Sequence, residues 1–265
     1  MNDFPAFDPV RFADLVAERS LGLGRHVRYY PTIHSTSDIA MTLATEGAPH
    51  GQLVIADHQT RGRGRHGNVW LSPGPCENLL FSVILHLDHV EDAPSNFTLA
   101  LGLAMRDALQ PFLDDDVCIK WVNDIIVLDK KLAGILVECP VSSGHHSVVV
   151  AGIGLNVHMR TLPLPIHSTA TSLALLDCRV LDRELLLTEI LCCIENRAAI
   201  WQTQGLEAMV NELNQCDALY RREVSIGEQK GVAMGIDATG ALLLKTREQI
   251  APVRVLSGMV ELVTA

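Results

Sequence analysis

Apolar residues along the chain recur with two periods, and the places where the period changes mark its elements. Asp8-Pro9 reads as an N-cap followed by proline in the first turn, opening a helix to about Ser20 with Phe12 and Val16 on one side. His26 to Ile33 reads as a strand. Ser35-Thr36-Ser37-Asp38 has the S-x-x-D spacing of a capping box and starts a second helix, with Ile39, Leu43 and Ala44 on its apolar side and Gly47 as its stop. Leu53 to Ala56 is a short strand, and Leu79 to Leu87 is apolar enough to predict a strand covered on both faces. Ser95 caps a helix expected to run through Leu113, burying Leu99, Leu103 and Ala104.

Val117 to Trp121, Ile125 to Leu128, Leu132 to Glu138 and Ser147 to Gly152 follow as four strand-like runs joined by short turns. Connections that short allow only antiparallel neighbours, so they predict a β-meander in an α+β domain and exclude a doubly wound sheet. Asp182 caps a long helix to about Thr203, and another follows near Leu206 to Leu213. From about Tyr220 the pattern shifts to short strands separated by glycine and Asp237-Ala238-Thr239-Gly240 turn chemistry, which predicts a small β-barrel. The expected division is residues 1–218 and residues 219–265.

Composition narrows the class. At 265 residues and 48% hydrophobic content the chain has ample material for a core. A net charge of -10 and few aromatics argue against a broad basic face for nucleic acid, and the first helix leaves no room upstream for a DNA-binding domain. No apolar run reaches membrane-spanning length, and Met1-Asn2-Asp3-Phe4-Pro5 carries acid where a signal peptide carries base, so a cytoplasmic protein without membrane attachment is expected. The seven cysteines are scattered without a C-x-x-C pair, which favours reduced thiols over disulfides or a zinc site.

One stretch inverts this acidic background. Gln59 to Trp70 holds three arginines and three glycines within seven residues and no acid. Glycines let backbone approach a ligand closely, and guanidinium forks grip carboxylate or phosphate oxygens two at a time. The spacing matches neither the Walker loop nor the dinucleotide fingerprint, and alone such a stretch is as readily a mobile, solvated segment. Ser35 and Thr36 are likewise plain caps when taken singly. Three further polar islands interrupt apolar strands, however: Lys120-Trp121-Val122-Asn123-Asp124, Lys131 to Leu136, and Gly152-Ile153-Gly154-Leu155-Asn156. Polar groups inside apolar strands are costly unless paired or used. Their number points to a site for an anionic ligand.

With these motifs the sequence resembles the biotin protein ligases. The family's G-R-G-R-x-G-x-x-W loop stands here as Gly62 to Trp70, K-W-P-N-D as Lys120 to Asp124, K-L-A-G-I-L as Lys131 to Leu136, and G-x-G-x-N as Gly152 to Asn156. The resemblance runs from about His34 to the C-terminus. It implies an α+β, class II synthetase-like mixed or antiparallel sheet flanked by helices, with a small C-terminal SH3-like β-barrel, and looks like the monofunctional type. Two positions depart from the family: Val122 stands for the usual proline and Asn68 where some members carry another arginine.

The resemblance also implies the chemistry. Biotin would be activated by ATP as biotinyl-5'-AMP and passed to a lysine of a biotin carboxyl carrier domain, with Mg²⁺ as cofactor and room for a homodimer. Ser35, Thr36, Ser37 and Gln59 would meet the biotin head, and Arg63, Gly64 and Arg65 would lie over its carboxylate and the α-phosphate beside Gly134. Lys131 would be the chief catalytic cation, working with Arg63 and Arg65. His66, Trp70, Lys120, Asn123, Asp124, Gly154 and Asn156 would form the ATP side. Asp124 either holds Mg²⁺ or orients the lysines, and Trp70 either packs on adenine or is a core residue. The rival readings are a lipoate or octanoate ligase of the same fold and a non-catalytic biotin-binding protein.

Overall fold

The computed structural model describes residues 4–88, 94–143 and 146–263. Helix α1 (Pro9–Glu18) opens as its sequence dictates, the Asp8 carboxylate accepting from the amides of Val10 and Arg11 and the buried face carrying Phe12 and Val16. Strand β1 (His26–Ile33), helix α2 (Thr36–Thr45) and strand β2 (Gln52–Gln59) form a crossover whose two strands pair in parallel. Two short strands, β3 (Gly62–Arg63) and β4 (Val69–Trp70), make a separate hairpin. Strand β5 (Asn78–Asp88) and helix α3 (Pro94–Leu109) precede the meander β6 (Cys118–Lys120), β7 (Asp124–Val127), β8 (Lys130–Ser143) and β9 (His146–Asn156), which is antiparallel throughout. The large sheet has seven strands in the order β1-β2-β5-β9-β8-β7-β6, and only its β1–β2 edge is parallel.

Period-two alternation along β5 decides which helices cover which face. Leu79, Phe81, Val83, Leu85 and Leu87 join the main core beneath α3 and α4 (Arg183–Gln204), whereas Ile84 packs with Val54 against Ala40, Leu43 and Ala44 of α2. The run is covered on both faces, as its largely apolar character predicts. Helix α3 begins at Pro94 and gives way at Leu109 to a 3-10 turn over Gln110–Phe112, where Pro111 removes an amide donor. The cap expected from the Ser95 side chain lies outside the described residues.

Helix α4 is tied to the sheet by an ion pair between Arg183 and Asp57, 2.8 Å apart, whose side chains are 2% and 3% exposed. Ions this deep are tolerable only when their remaining valences are met. Tyr29 donates its hydroxyl proton to Asp57 at 2.5 Å and the Phe7 amide donates to it at 3.2 Å, while Arg183 also donates to the carbonyls of Pro5 and Asn78.

After helix α5 (Val210–Gln215), strands β10 (Glu223–Ile226), β11 (Gln229–Ile236), β12 (Leu242–Lys245), β13 (Val253–Val255) and β14 (Val260–Leu262) build a second, antiparallel sheet in the order β13-β12-β11-β10-β14. Val224, Ala233, Ile236, Leu242 and Leu244 belong to the same buried cluster as the large sheet. The Trp121 indole N–H donates to the Gly240 carbonyl at 2.9 Å, and Asn214 accepts from the Ile236 amide and donates to its carbonyl, at 2.7 and 3.0 Å. Among the described residues no helix is long and apolar enough to cross a membrane.

Candidate active site

The four polar islands converge because they stand at strand ends that the sheet order makes neighbours. They enclose a cavity of about 310 Å³ between the β3–β4 hairpin, the first turn of α2, the β6–β7 turn and the facing backbones of β8 and β9. Gly134 and Gly154 are direct cross-strand partners. The Trp70 ring lies flat on this bare pair: a Cβ built on Gly154 would fall 2.5 Å from Trp70 Cε2, and one on Gly134 3.0 Å from Cζ3. Trp70 is thus a wall of the cavity, with its indole nitrogen buried and without a partner.

One end of the cavity is a hydroxyl and amide cluster. Gln59 accepts from the Thr36 amide at 2.6 Å and from the Thr36 hydroxyl at 3.1 Å, taking the place of an N-cap. Ser82 donates to Thr36 Oγ1 at 2.9 Å and lies 3.2 Å from Ser37 Oγ, so the serine within the apolar run faces α2. Gly152 lets α2 close on the sheet, since a Cβ there would meet Ser37 Oγ at 2.3 Å. The capping box read from Ser35-Thr36-Ser37-Asp38 is not formed. Ser35 makes no cap bond and its hydroxyl is buried without a partner, and the Asp38 carboxylate turns outward to Arg63 instead of back to the Ser35 amide.

The other end is cationic. The Lys131 ammonium lies 2.7 Å from Asp124 Oδ1, as an ion pair without good hydrogen-bond alignment, and 5.6 Å from the centre of the Trp70 ring. Arg65 donates to Asn123 Oδ1 at 3.3 Å, and Asn123 is itself anchored by donating to the Ile135 carbonyl at 3.1 Å. Burial pulls the Arg65 guanidinium below its ordinary value, partly offset by the charge of Asp124. Lys120 lines the same wall, and the Trp121–Val122 peptide beside it is cis.

Between Arg63 and Trp70 the hairpin turns through His66 (φ 56) and Gly67 (φ 78), closed by Gly64 N–H to Asn68 O at 2.8 Å and Asn68 N–H to Arg65 O at 3.0 Å. Gly64, His66 and Asn68 all line the cavity. Arg63 lines it too, but both ends of its guanidinium are engaged, by Asp38 at 2.8 Å and by Glu138. These carboxylates outweigh burial and raise its pKa.

Thr36, Ser37, Gln59, Arg63, Gly64, Arg65, His66, Trp70, Lys120, Asn123, Asp124, Lys131, Gly134 and Gly154 therefore share one cavity. Ser35 lies buried behind its wall, and Asn156 points away, donating to the Thr171 carbonyl at 2.8 Å. Sequence reading did not anticipate the segment Gly258 to Glu261, which brings the small sheet into the cavity wall. It carries no polar island, and its strand, read at Val260 to Val263 as part of the small barrel, gives no sign of reaching the cavity. Among the described residues no cluster of three or more histidines, cysteines or acids has the geometry of a metal cage.

A mixed sheet whose strand ends hold a cavity with hydroxyls and an amide at one end and cations at the other defines a protein that binds a polar-headed anion. Residues 29–156 match the biotin/lipoate A/B protein ligase family. The bifunctional ligase/repressor BirA of Bacillus subtilis is 34% identical over 235 residues, covering 86% of this chain and 72% of that protein. The biotin--[acetyl-CoA-carboxylase] ligase of Mycobacterium tuberculosis is 32% identical over 226 residues, covering 79% of each chain. The structure of biotin protein ligase from Aquifex aeolicus in complex with biotin and ATP superposes with a TM-score of 0.77 at 27% identity, over 91% of this chain and 100% of that one. The chain belongs to the biotin/lipoate A/B protein ligase family.

Proposed function

We propose that the protein is a biotin–protein ligase that converts biotin and ATP to biotinyl-5'-AMP and pyrophosphate, then transfers the biotinyl group to a lysine of a biotin carboxyl carrier domain. In the first step a biotin carboxylate oxygen attacks the α-phosphorus and pyrophosphate leaves. In the second the lysine amine attacks the acyl carbon, AMP leaves with the bonding pair, and the amine gives up a proton. Both steps build charge on oxygens, so they need fixed cations and amide donors more than a protein nucleophile.

The observation that carries this reading is the polarity of the cavity. Thr36, Ser37 and Gln59 line the cavity where a ureido head can be met, with Ser35 buried directly behind them. A linear acyl chain, the lipoate or octanoate alternative, has no polar group at its far end to use them. Lys131 is assigned to the acyl and phosphoryl oxygens, Arg65 to the α-phosphate, and Lys120 and Asn123 to the nucleotide side. Mg²⁺ would arrive on the ATP phosphates, with Asp124 as its cavity carboxylate once Lys131 turns to substrate, and would supply neutralisation of the leaving pyrophosphate. Residues 1–218 and 219–265 are read as the two domains, and the seven unpaired cysteines suit the reducing cytoplasm. Biotin-dependent exchange of pyrophosphate into ATP is the deciding assay. Lys131→Met is expected to abolish exchange while keeping the wild-type unfolding midpoint, and unchanged exchange in that variant would remove Lys131 from the chemistry.

A further inference from the structure

Sequence reading treats Arg63 and Arg65 as a matched pair of anion ligands, but their surroundings differ in kind. Arg63 meets two carboxylates, Asp38 on the first turn of α2 and Glu138 on β8, and with both acids ionised the group as a whole is negative. Among the described residues Arg65 has only the amide oxygen of Asn123 as a hydrogen-bond partner, and the nearby Asp124 is already paired with Lys131. An incoming carboxylate or phosphate is therefore repelled at Arg63 and attracted at Arg65. Arg63 is also the residue that begins the glycine-rich turn, in register with Val69 across the hairpin, so whatever fixes its side chain fixes the root of the loop.

We propose that Asp38 and Glu138 are positioning residues that clasp Arg63 and hold the loop of residues 61–68 over the cavity before any ligand enters, leaving Arg65 as the arginine that receives the anion. The clasp bridges α2, which carries Thr36 and Ser37, and β8, which carries Lys131 and Gly134, so it spans the two ends of the cavity. It accounts for Asp38 turning away from the capping box and for a guanidinium on the cavity wall with both terminal nitrogens held by carboxylates. On the ligase reading, from which its purpose follows, the clasp keeps the anhydride covered between the two half-reactions.

The ligand-free protein tests it. Trypsin cuts after Arg61 and Arg65 in proportion to how often the loop opens. The Asp38→Asn/Glu138→Gln double variant is expected to be cut about tenfold faster than the wild type, the scale on which losing two partly exposed ion pairs acts. Added salt should accelerate cutting of the wild type and leave the double variant nearly unchanged, because it screens the clasp where one exists. Equal cleavage rates, or equal salt responses, would overturn the proposal. The Asp38 side chain is half exposed, so Asp38→Asn alone guards against misfolding of the double variant, and a two- to threefold faster cut is expected there. If biotin with ATP fails to protect the wild type while the double variant is still cut faster, the clasp stands and the ligase reading falls.

Discussion

Gly154→Ala is the sharpest perturbation of the cavity wall. An added Cβ would lie 2.5 Å from Trp70 Cε2 and 2.8 Å from Cδ2 and Cζ2, where ordinary contact begins at 3.4 Å. The ring must therefore retreat by roughly 1 Å, and it cannot swing aside as a flexible chain would, because its backbone is paired to Gly62 across the hairpin. Overpacking of this kind costs about 1–3 kcal/mol, from which some 0.4–1 kcal/mol is recovered because alanine restricts the unfolded chain. The net loss of stability is thus about 1–2 kcal/mol. The effect on activity should be far larger, since Lys131 rides on the same ring and a misplacement of about 1 Å costs on the order of 100-fold in rate. Pyrophosphate exchange measured beside urea unfolding separates the two effects. Gly74→Ala is the control, because its Cβ would meet only the mobile Glu77 carboxylate, at 3.1 Å. Wild-type exchange by Gly154→Ala would refute the view that Trp70 sets the position of the cationic end.

Three other predictions rest on separate parts of the molecule. Asp217 is 9% exposed, one of its oxygens has no partner, and burial pushes its pKa up to about 6 from 3.8. A raised acid binds a proton more tightly when folded, so its stabilisation is complete near pH 4 and is lost as pH rises through about 6, some 3 kcal/mol in all. The stability of Asp217→Asn relative to wild type should therefore climb by that amount between pH 4 and 7 in urea titrations, and parallel profiles would sink the idea. Arg183→Met leaves the Asp57 carboxylate buried with its countercharge gone and should cost about 3–5 kcal/mol at pH 7, whereas Arg183→Met with Asp57→Asn should cost clearly less than the two single changes together. Trp121→Phe removes the bond to Gly240 and should lower the unfolding midpoint by an amount equivalent to about 1 kcal/mol; an unchanged midpoint would show that the junction of the two sheets does not depend on it.

Much of this architecture is legible in the chain because it is locally encoded. The meander from β6 to β9 follows from turn lengths, α1 from Asp8-Pro9, and the two-sided cover of β5 from its largely apolar run. The glycines at 134, 152 and 154 are legible as places where something must come close, although not that Trp70 and Ser37 are what approach. Long-range pairing is what the sequence hides. Nothing near Arg63 names Asp38 and Glu138 as its partners, nothing near Asp57 names Arg183, and the segment at Gly258 to Glu261 reaches the cavity only through the pairing of β14 with β10. The capping box failed for the same reason, since a distant guanidinium outcompeted a local amide for Asp38.

The Asn214 side chain fills a slot in β11 where the register shifts between Ala233 and Ile236, and it meets the Ile236 amide and carbonyl as a neighbouring strand would. Mechanically, that makes the small sheet a bolted plate and not a flap: α5 grips it through a ladder of two bonds, and Trp121 pins it from the large sheet. With that wall fixed, the compliant boundary of the cavity is the glycine-rich hairpin. On the clasp reading, opening that hairpin to ligand means first parting Arg63 from the two carboxylates at its root.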